Sequence, residues 1–176
     1  MISERLQKAM NEQVKHELES SYLYLSMGSY FQSLALDGMA HWMRCQAHEE
    51  TMHAMKFFDH INDRGGKVQL QDIHLLKSNW KSPIEAWQDA YKHEQFITSK
   101  IQELTAITRE DKEYSSEPIL AWFLNEQIEE ETNTSKISTQ IEMLGENSAN
   151  ILFLDKELAT RPFTPGSPFD PTALPQ

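Results

Sequence analysis

Apolar residues recur along this chain at three- and four-residue steps in four separate stretches. Leu6, Met10, Val14, Tyr24 and Phe31 keep that spacing in the first, and Met43, Ala47, Ala54, Phe57 and Ile61 in the second. Trp87, Ala90, Tyr91, Ile97, Ile101 and Leu104 follow in the third, and Leu120, Phe123, Thr134, Ile137, Ile141 and Leu144 in the fourth. This period puts each set on one face of an α-helix and turns that face inward. The expected helices run over about 3–32, 37–64, 83–111 and 117–145. Asp37 reads as the N-cap of the second, and Gly65-Gly66 stops it, one of the two taking a left-handed cap. Ser82-Pro83-Ile84-Glu85 is a capping box with Pro at the first helical position, and Ser116-Glu117-Pro118 starts the fourth helix. A short fifth helix is expected over about 148–160 behind an Asn147 cap. Its Ile151, Leu152, Phe153, Leu154 and Leu158 are too apolar to be left in water. The fold class is therefore all-α, a four-helix bundle with a short fifth C-terminal helix.

The linker over 65–82 is long for a compact domain. Geometry supplies a reason. The second helix is about 40 Å long at ~1.5 Å per residue, and about 16 extended residues at up to ~3.3 Å each can cover it. The linker can then run the length of the bundle, so that the third helix starts beside the start of the second. Val68, Leu70, Ile73 and Leu75 suggest that it lies on the bundle or on a neighbouring subunit.

Each apolar stripe is interrupted near its middle by an acid. Glu17, Glu50, Glu94 and Glu130 lie about 11–14 residues into helices of roughly 30, so side-by-side antiparallel packing brings all four to one level. Gln127 sits one turn before Glu130, and His53 one turn after Glu50 on the same face. Taken alone, Glu50 and His53 are as readily a solvated helical pair. Four stripes with an acid at one depth are not. A buried carboxylate must be paired, protonated or bound to metal, and this layer supplies no other cation. A carboxylate-rich site with one imidazole suits Fe(II) or Mn(II) better than copper or structural zinc. Four carboxylates are too many for one divalent ion and match two, with Glu50 placed to bridge.

Composition narrows the picture. The chain has 176 residues, enough for one domain with a real core. Gly is scarce, and five of the seven Pro fall after residue 160, leaving a tail over 161–176 that reads as disordered or extended. The net charge of −11 argues against nucleic acid and is compatible with handling cations. No N-terminal apolar run suggests a secretory signal, and no stretch approaches the roughly 18 apolar residues needed to span a membrane. Cys45 is the only cysteine, which excludes disulfide frameworks and Cys-based zinc or iron–sulfur sites within the chain. A cytoplasmic location fits these features.

With the Glu-Leu-Glu-Ser-Ser-Tyr-Leu-Tyr-Leu run from Glu17 to Leu25 added to those acids, the chain resembles the bacterial non-haem ferritins over nearly all of residues 1–160. Ferritin-like di-iron proteins build their site from a Glu on each of two helices and a Glu-x-x-His on each of the other two. The resemblance implies a ferroxidase centre of Glu17, Glu50, His53, Glu94, Gln127 and Glu130. It also implies a third iron beside it at Glu49, Glu126 and Glu129, and a tyrosine near the centre at Tyr24. It further implies a homo-oligomeric hollow cage of about 24 subunits. Such a cage oxidises Fe(II) with O2 or H2O2 and stores it as a ferric mineral, with no nucleic acid or membrane partner. The chain departs from the haem-containing bacterioferritins, because Gln127-Ile128-Glu129-Glu130 lacks their second histidine. Their haem-ligating methionine would fall at Thr51, not Met52, so no haem is expected. Nothing carries over to the tail.

Other readings stand beside these. Glu49, Glu126 and Glu129 are offset from the stripe and could be ordinary surface acid, and Tyr24 could be a core aromatic. His16, His41, His48, His60, His74 and His93 read as surface or packing residues, Met52 likewise, and the four Trp as core or subunit contacts. A small di-iron oxidase or peroxidase that stores no iron is the alternative function. A silent structural subunit is a weaker one, since the full ligand set argues against it. The fifth helix favours the cage, because a bundle already complete has little other use for its apolar face.

Overall fold

The computed structural model describes residues 2–145, 148–165, 167, 169 and 170. Five α-helices appear: α1 (Glu4–Ser33), α2 (Asp37–Asp63), α3 (Pro83–Glu110), α4 (Glu117–Leu144) and α5 (Ser148–Leu158). The expected bounds hold to within two residues at each end. Among the described residues there is no strand.

Local chemistry sets most of these ends. Ser3 Oγ accepts from the Leu6 amide and starts α1. Ser82 Oγ accepts from the Glu85 amide, and Glu85 reaches back to the amide of Lys81, one residue further out than a capping box expects. Gly65 closes α2 at φ 72°, a left-handed conformation that costs glycine little. The expected Asp37 cap needs correction. Asp37 is already helical, and Leu36, at the cap position, has no side chain that can bond the turn. Asp155 of α5 does the job instead, its Oδ1 accepting from the Met39 amide at 2.7 Å. The expected Asn147 cap of α5 lies outside the described residues.

The linker runs as geometry suggested. Its Lys67 amide bonds Gln7, its Gln69 amide bonds Asn11, its His74 amide bonds Glu19, and its Lys77 carbonyl accepts from Ser26. It therefore tracks α1 from one end of the bundle to the other, which sets α3 parallel to α2 and antiparallel to α1. Leu70, Ile73, Leu75 and Leu76 remain exposed along it.

This topology divides the core in two. One cluster joins Tyr24, Met27 and Phe31 of α1 to Met39 and Met43 of α2, Trp87 of α3 and Ile141 of α4. The other joins Leu6 and Met10 of α1 to Phe57 and Ile61 of α2, Ile97 and Ile101 of α3 and Phe123 of α4. Between them lies a layer of buried polar residues at mid-bundle. The described part of the tail is not free. Phe163 packs edge-on against His41, Phe169 against His48, and Arg161 lies over Trp42, all on α2.

Candidate metal centre

Each helix delivers its acid to the polar layer by the same device, a turn of polar residues inside an apolar stripe. Glu17, Glu50, His53, Glu94, Gln127 and Glu130 are all buried. Glu17, Glu50 and His53 each offer a ligand atom, and the three lie within 4.8 Å of one another. Glu50 Oε2 is 3.5 Å from His53 Nδ1. Across the layer, Glu94 accepts from the Tyr24 hydroxyl and from Gln127 Nε2, the latter at 3.2 Å. Gln127 also donates to the Glu94 carbonyl, so its amide ties α4 to α3.

Two buried carboxylate oxygens, Glu17 Oε2 and Glu130 Oε2, have no hydrogen-bond partner. Burying such an oxygen unpaired is costly. The charge balance agrees. Burial, then the charge of Glu50, pushes Glu17 up to about 8. The same two causes push Glu130 up to about 8. Burial, with Glu50 and Glu130, carries Glu94 well above the usual carboxylate range. Burial raises Glu50 too, but the bond and charge of His53 outweigh it and hold Glu50 low. Burial opposes charge on His53, yet Glu50, Glu17 and Glu130 together lift it to about 10. With no cation bound, the layer thus holds one ion pair, Glu50 with His53, and three carboxyls that burial pushes toward their protonated forms. A divalent cation would replace those protons. The donor set is oxygen-rich with a single nitrogen, which fits iron.

The set expected for a third ion is placed differently. Glu49 and Glu126 are half-buried and Glu129 is exposed. They border a cavity of about 620 Å³ beside the layer, together with His53, Glu130 and Arg161. They are not gathered within ligating distance of one another. Glu49 Oε2 instead accepts from Arg161 Nη2 at 2.6 Å.

Three residues that position the site escaped the sequence reading. Gln13 donates to Glu17 Oε1 and Gln46 donates to Glu50 Oε1, each at 2.9 Å. Each glutamine precedes its acid by four residues, a spacing that signals contact on a helix. The third, Arg161, bonds both Gln46 and Glu49 from the tail. Among the remaining histidines the packing reading holds for His93. It bonds Ser20, and burial pushes it down to about 4, so it stays neutral.

Similar proteins span nearly the whole chain. A bacterial non-haem ferritin from Bacteroides fragilis is 37% identical over 92% of this chain and all of its own. One from Staphylococcus haemolyticus is 34% identical over 93% of this chain and 98% of its own. The solved open-pore ferritin of the hyperthermophilic archaeon Archaeoglobus fulgidus superposes with a TM-score of 0.91 at 42% identity, covering 92% of this chain and all of that one. The ferritin-like domain is matched over residues 7–144, and with four inward acids and one imidazole at mid-bundle the chain belongs to the ferritin family.

Proposed function

We propose that this protein is an iron-storage ferroxidase. The observation that carries the reading is the pair of unpartnered buried oxygens, Glu17 Oε2 and Glu130 Oε2, in a layer where burial leaves every acid raised except the His53-paired Glu50. Similarity to proteins named non-haem ferritins supports iron as the metal and storage as its fate.

Glu17 and His53 hold one iron, Glu94 and Glu130 the other, and Glu50 bridges. Gln127 is neutral and leaves the second iron more weakly held, which favours turnover. Fe(II) is oxidised there by O2 or H2O2, and Fe(III) passes to a mineral within a cage of about 24 copies. The exposed Leu152 and Phe153 of α5 and the apolar linker residues support assembly. A third iron would lie at Glu49, Glu126 and Glu129, on the cavity side.

The test is iron bound per chain on stepwise aerobic Fe(II) addition, with particle mass read on the same sample. Hundreds of irons in a particle of about 24 chains are expected. Saturation at two or three irons on a monomer or dimer would move the function to a small di-iron oxidase or peroxidase. Glu50→Ala should abolish fast oxidation; a wild-type rate would rule out the bridging role.

A further inference from the structure

The acids beside the metal layer meet a cation supplied by the chain itself. Arg161 follows α5 in a segment that is not helical. Its Nη2 donates to Glu49 Oε2 at 2.6 Å and its Nη1 to Gln46 Oε1 at 2.9 Å. Its guanidinium lies 4.2 Å from the centre of the Trp42 ring, and its carbonyl accepts from His41 Nε2 at 2.6 Å. The side chain is only 18% exposed, whereas Glu49 keeps 36% of its own open. Another cation near the cavity, Lys56, sits over Trp122 instead.

We infer that Arg161 governs the third metal position. Its guanidinium occupies Glu49 as a tethered counter-cation, which an incoming ion must displace. The inference rests on the proposed reading of Glu49, Glu126 and Glu129 as a third iron position beside the dinuclear layer. Three features support it. The guanidinium is held on both sides, by Trp42 and by Gln46, so it is a placed group rather than a surface arginine that happens to reach an acid. It bonds Glu49 Oε2, one of the two oxygens that Glu49 could offer a metal, and it carries like charge, so the two compete for one carboxylate. It also bonds the oxygen of the Gln46 amide whose nitrogen donates to Glu50, so its departure is felt at the bridging carboxylate. Arg161 is thus a positioning residue that couples the third position to the dinuclear one.

The experiment is Zn(II) titration by calorimetry of the assembled full-length protein, comparing wild type with Arg161→Gln and Arg161→Lys. Two tight ions per chain are expected in all three. The third ion should bind roughly ten- to a hundredfold more tightly in Arg161→Gln than in wild type, because a charge-assisted bond no longer competes. Arg161→Lys, which keeps the charge but not the fork, should fall between. An arginine that merely pins the tail would lower the melting temperature and leave the third affinity unchanged, and that result overturns the inference. Should Arg161→Gln fail to assemble, a crystal of wild type saturated with Zn(II) decides the matter. Zinc on Glu49 with Arg161 swung away supports displacement, and zinc there with the Arg161 bond intact refutes it. Loss of the two tight ions in wild type would instead refute the metal centre itself.

Discussion

The Tyr24 hydroxyl donates to Glu94 Oε1, joining α1 to α3 inside the buried polar layer at mid-bundle. Tyr24 is fully buried and stands edge-on to Trp42 and to His93. Burial, then Glu94 and Glu50, pushes its hydroxyl further above the usual phenol range, so it serves as a fixed donor even in alkaline buffer. Tyr24→Phe leaves Glu94 with one donor fewer in a buried site. Metal-free protein should lose about 1–3 kcal/mol in thermal denaturation. Two ions should still bind, while Fe(II) oxidation in stopped flow slows roughly three- to thirtyfold as Glu94 loses its alignment. Unchanged stability together with an unchanged rate would show that the hydroxyl orients nothing.

The buried carboxyls set the pH dependence of the metal-free protein. Glu17 and Glu130 have folded values near 8, above their unfolded values. The folded state then holds more protons, so stability falls as pH rises through the interval from the ordinary carboxylate range to about 8. His53, raised to about 10, contributes stability present below its unfolded value and lost as pH rises toward 10, in the same direction. The melting temperature of metal-free protein should therefore drop by several degrees between mildly acid and mildly alkaline buffer. Zn(II) should flatten the slope, since the ion replaces the protons. Replacing Glu17 and Glu130 together with Gln should flatten it without metal. A metal-free profile that rises over this interval would contradict the proton assignment.

Two glycines in neighbouring helices should respond in opposite ways to alanine. A Cβ on Gly38 would lie 1.7 Å from the Asp155 carbonyl oxygen, a backbone atom that cannot step aside. Gly38→Ala must push α5 off the start of α2 and take the Asp155 cap with it, at a cost of at least about 2 kcal/mol. A Cβ on Gly28 would meet nothing nearer than 3.5 Å. Gly28→Ala should stabilise α1 by about 0.5–1 kcal/mol through lower backbone entropy in the unfolded chain. Thermal denaturation of the two variants checks both signs, and limited proteolysis of Gly38→Ala should show cleavage around α5.

What the sequence revealed depended on distance along the chain. The helices were legible because periodicity, caps and Gly65-Gly66 all act within one turn. Glu17, Glu50, Glu94 and Glu130 were legible because an acid inside an apolar stripe contradicts its neighbours, and the contradiction repeats at one depth. Gln13 and Gln46 carried a readable signal, four residues ahead of an acid, that was not used. Arg161 and Asp155 had no such signal. They meet Glu49 and Met39 across 112 and 116 residues of sequence. No local pattern encodes pairings of that length. Arg161 also sits in the Pro-rich segment, whose composition points away from packing although it lies on α2. The Asp37 cap misled for a related reason. A good capping residue stood at the right place, but a carboxylate from α5 reached the amide first.

Assembly is the remaining prediction, and α5 decides it. On this helix Leu154 and Leu158 are buried against the bundle, whereas Phe153 is 74% exposed and Leu152 is 50% exposed. A large apolar side chain held in water on a helix that is otherwise docked is the surface that the proposed assembly would bury. Asp155 fixes the orientation of α5 on α2, so Phe153 points outward by construction rather than by fraying. Phe153→Asp should leave the bundle intact, because the side chain contributes nothing to either core cluster. Circular dichroism and the two tight Zn(II) ions should match wild type. The particle should stop at a small oligomer in native mass spectrometry, with Fe(II) oxidised at the dinuclear centre but little iron retained per chain. A variant that still forms the full cage and mineralises normally would remove α5 from the assembly surface. It would leave the exposed linker residues Leu70, Ile73, Leu75 and Leu76 to carry the contacts between copies.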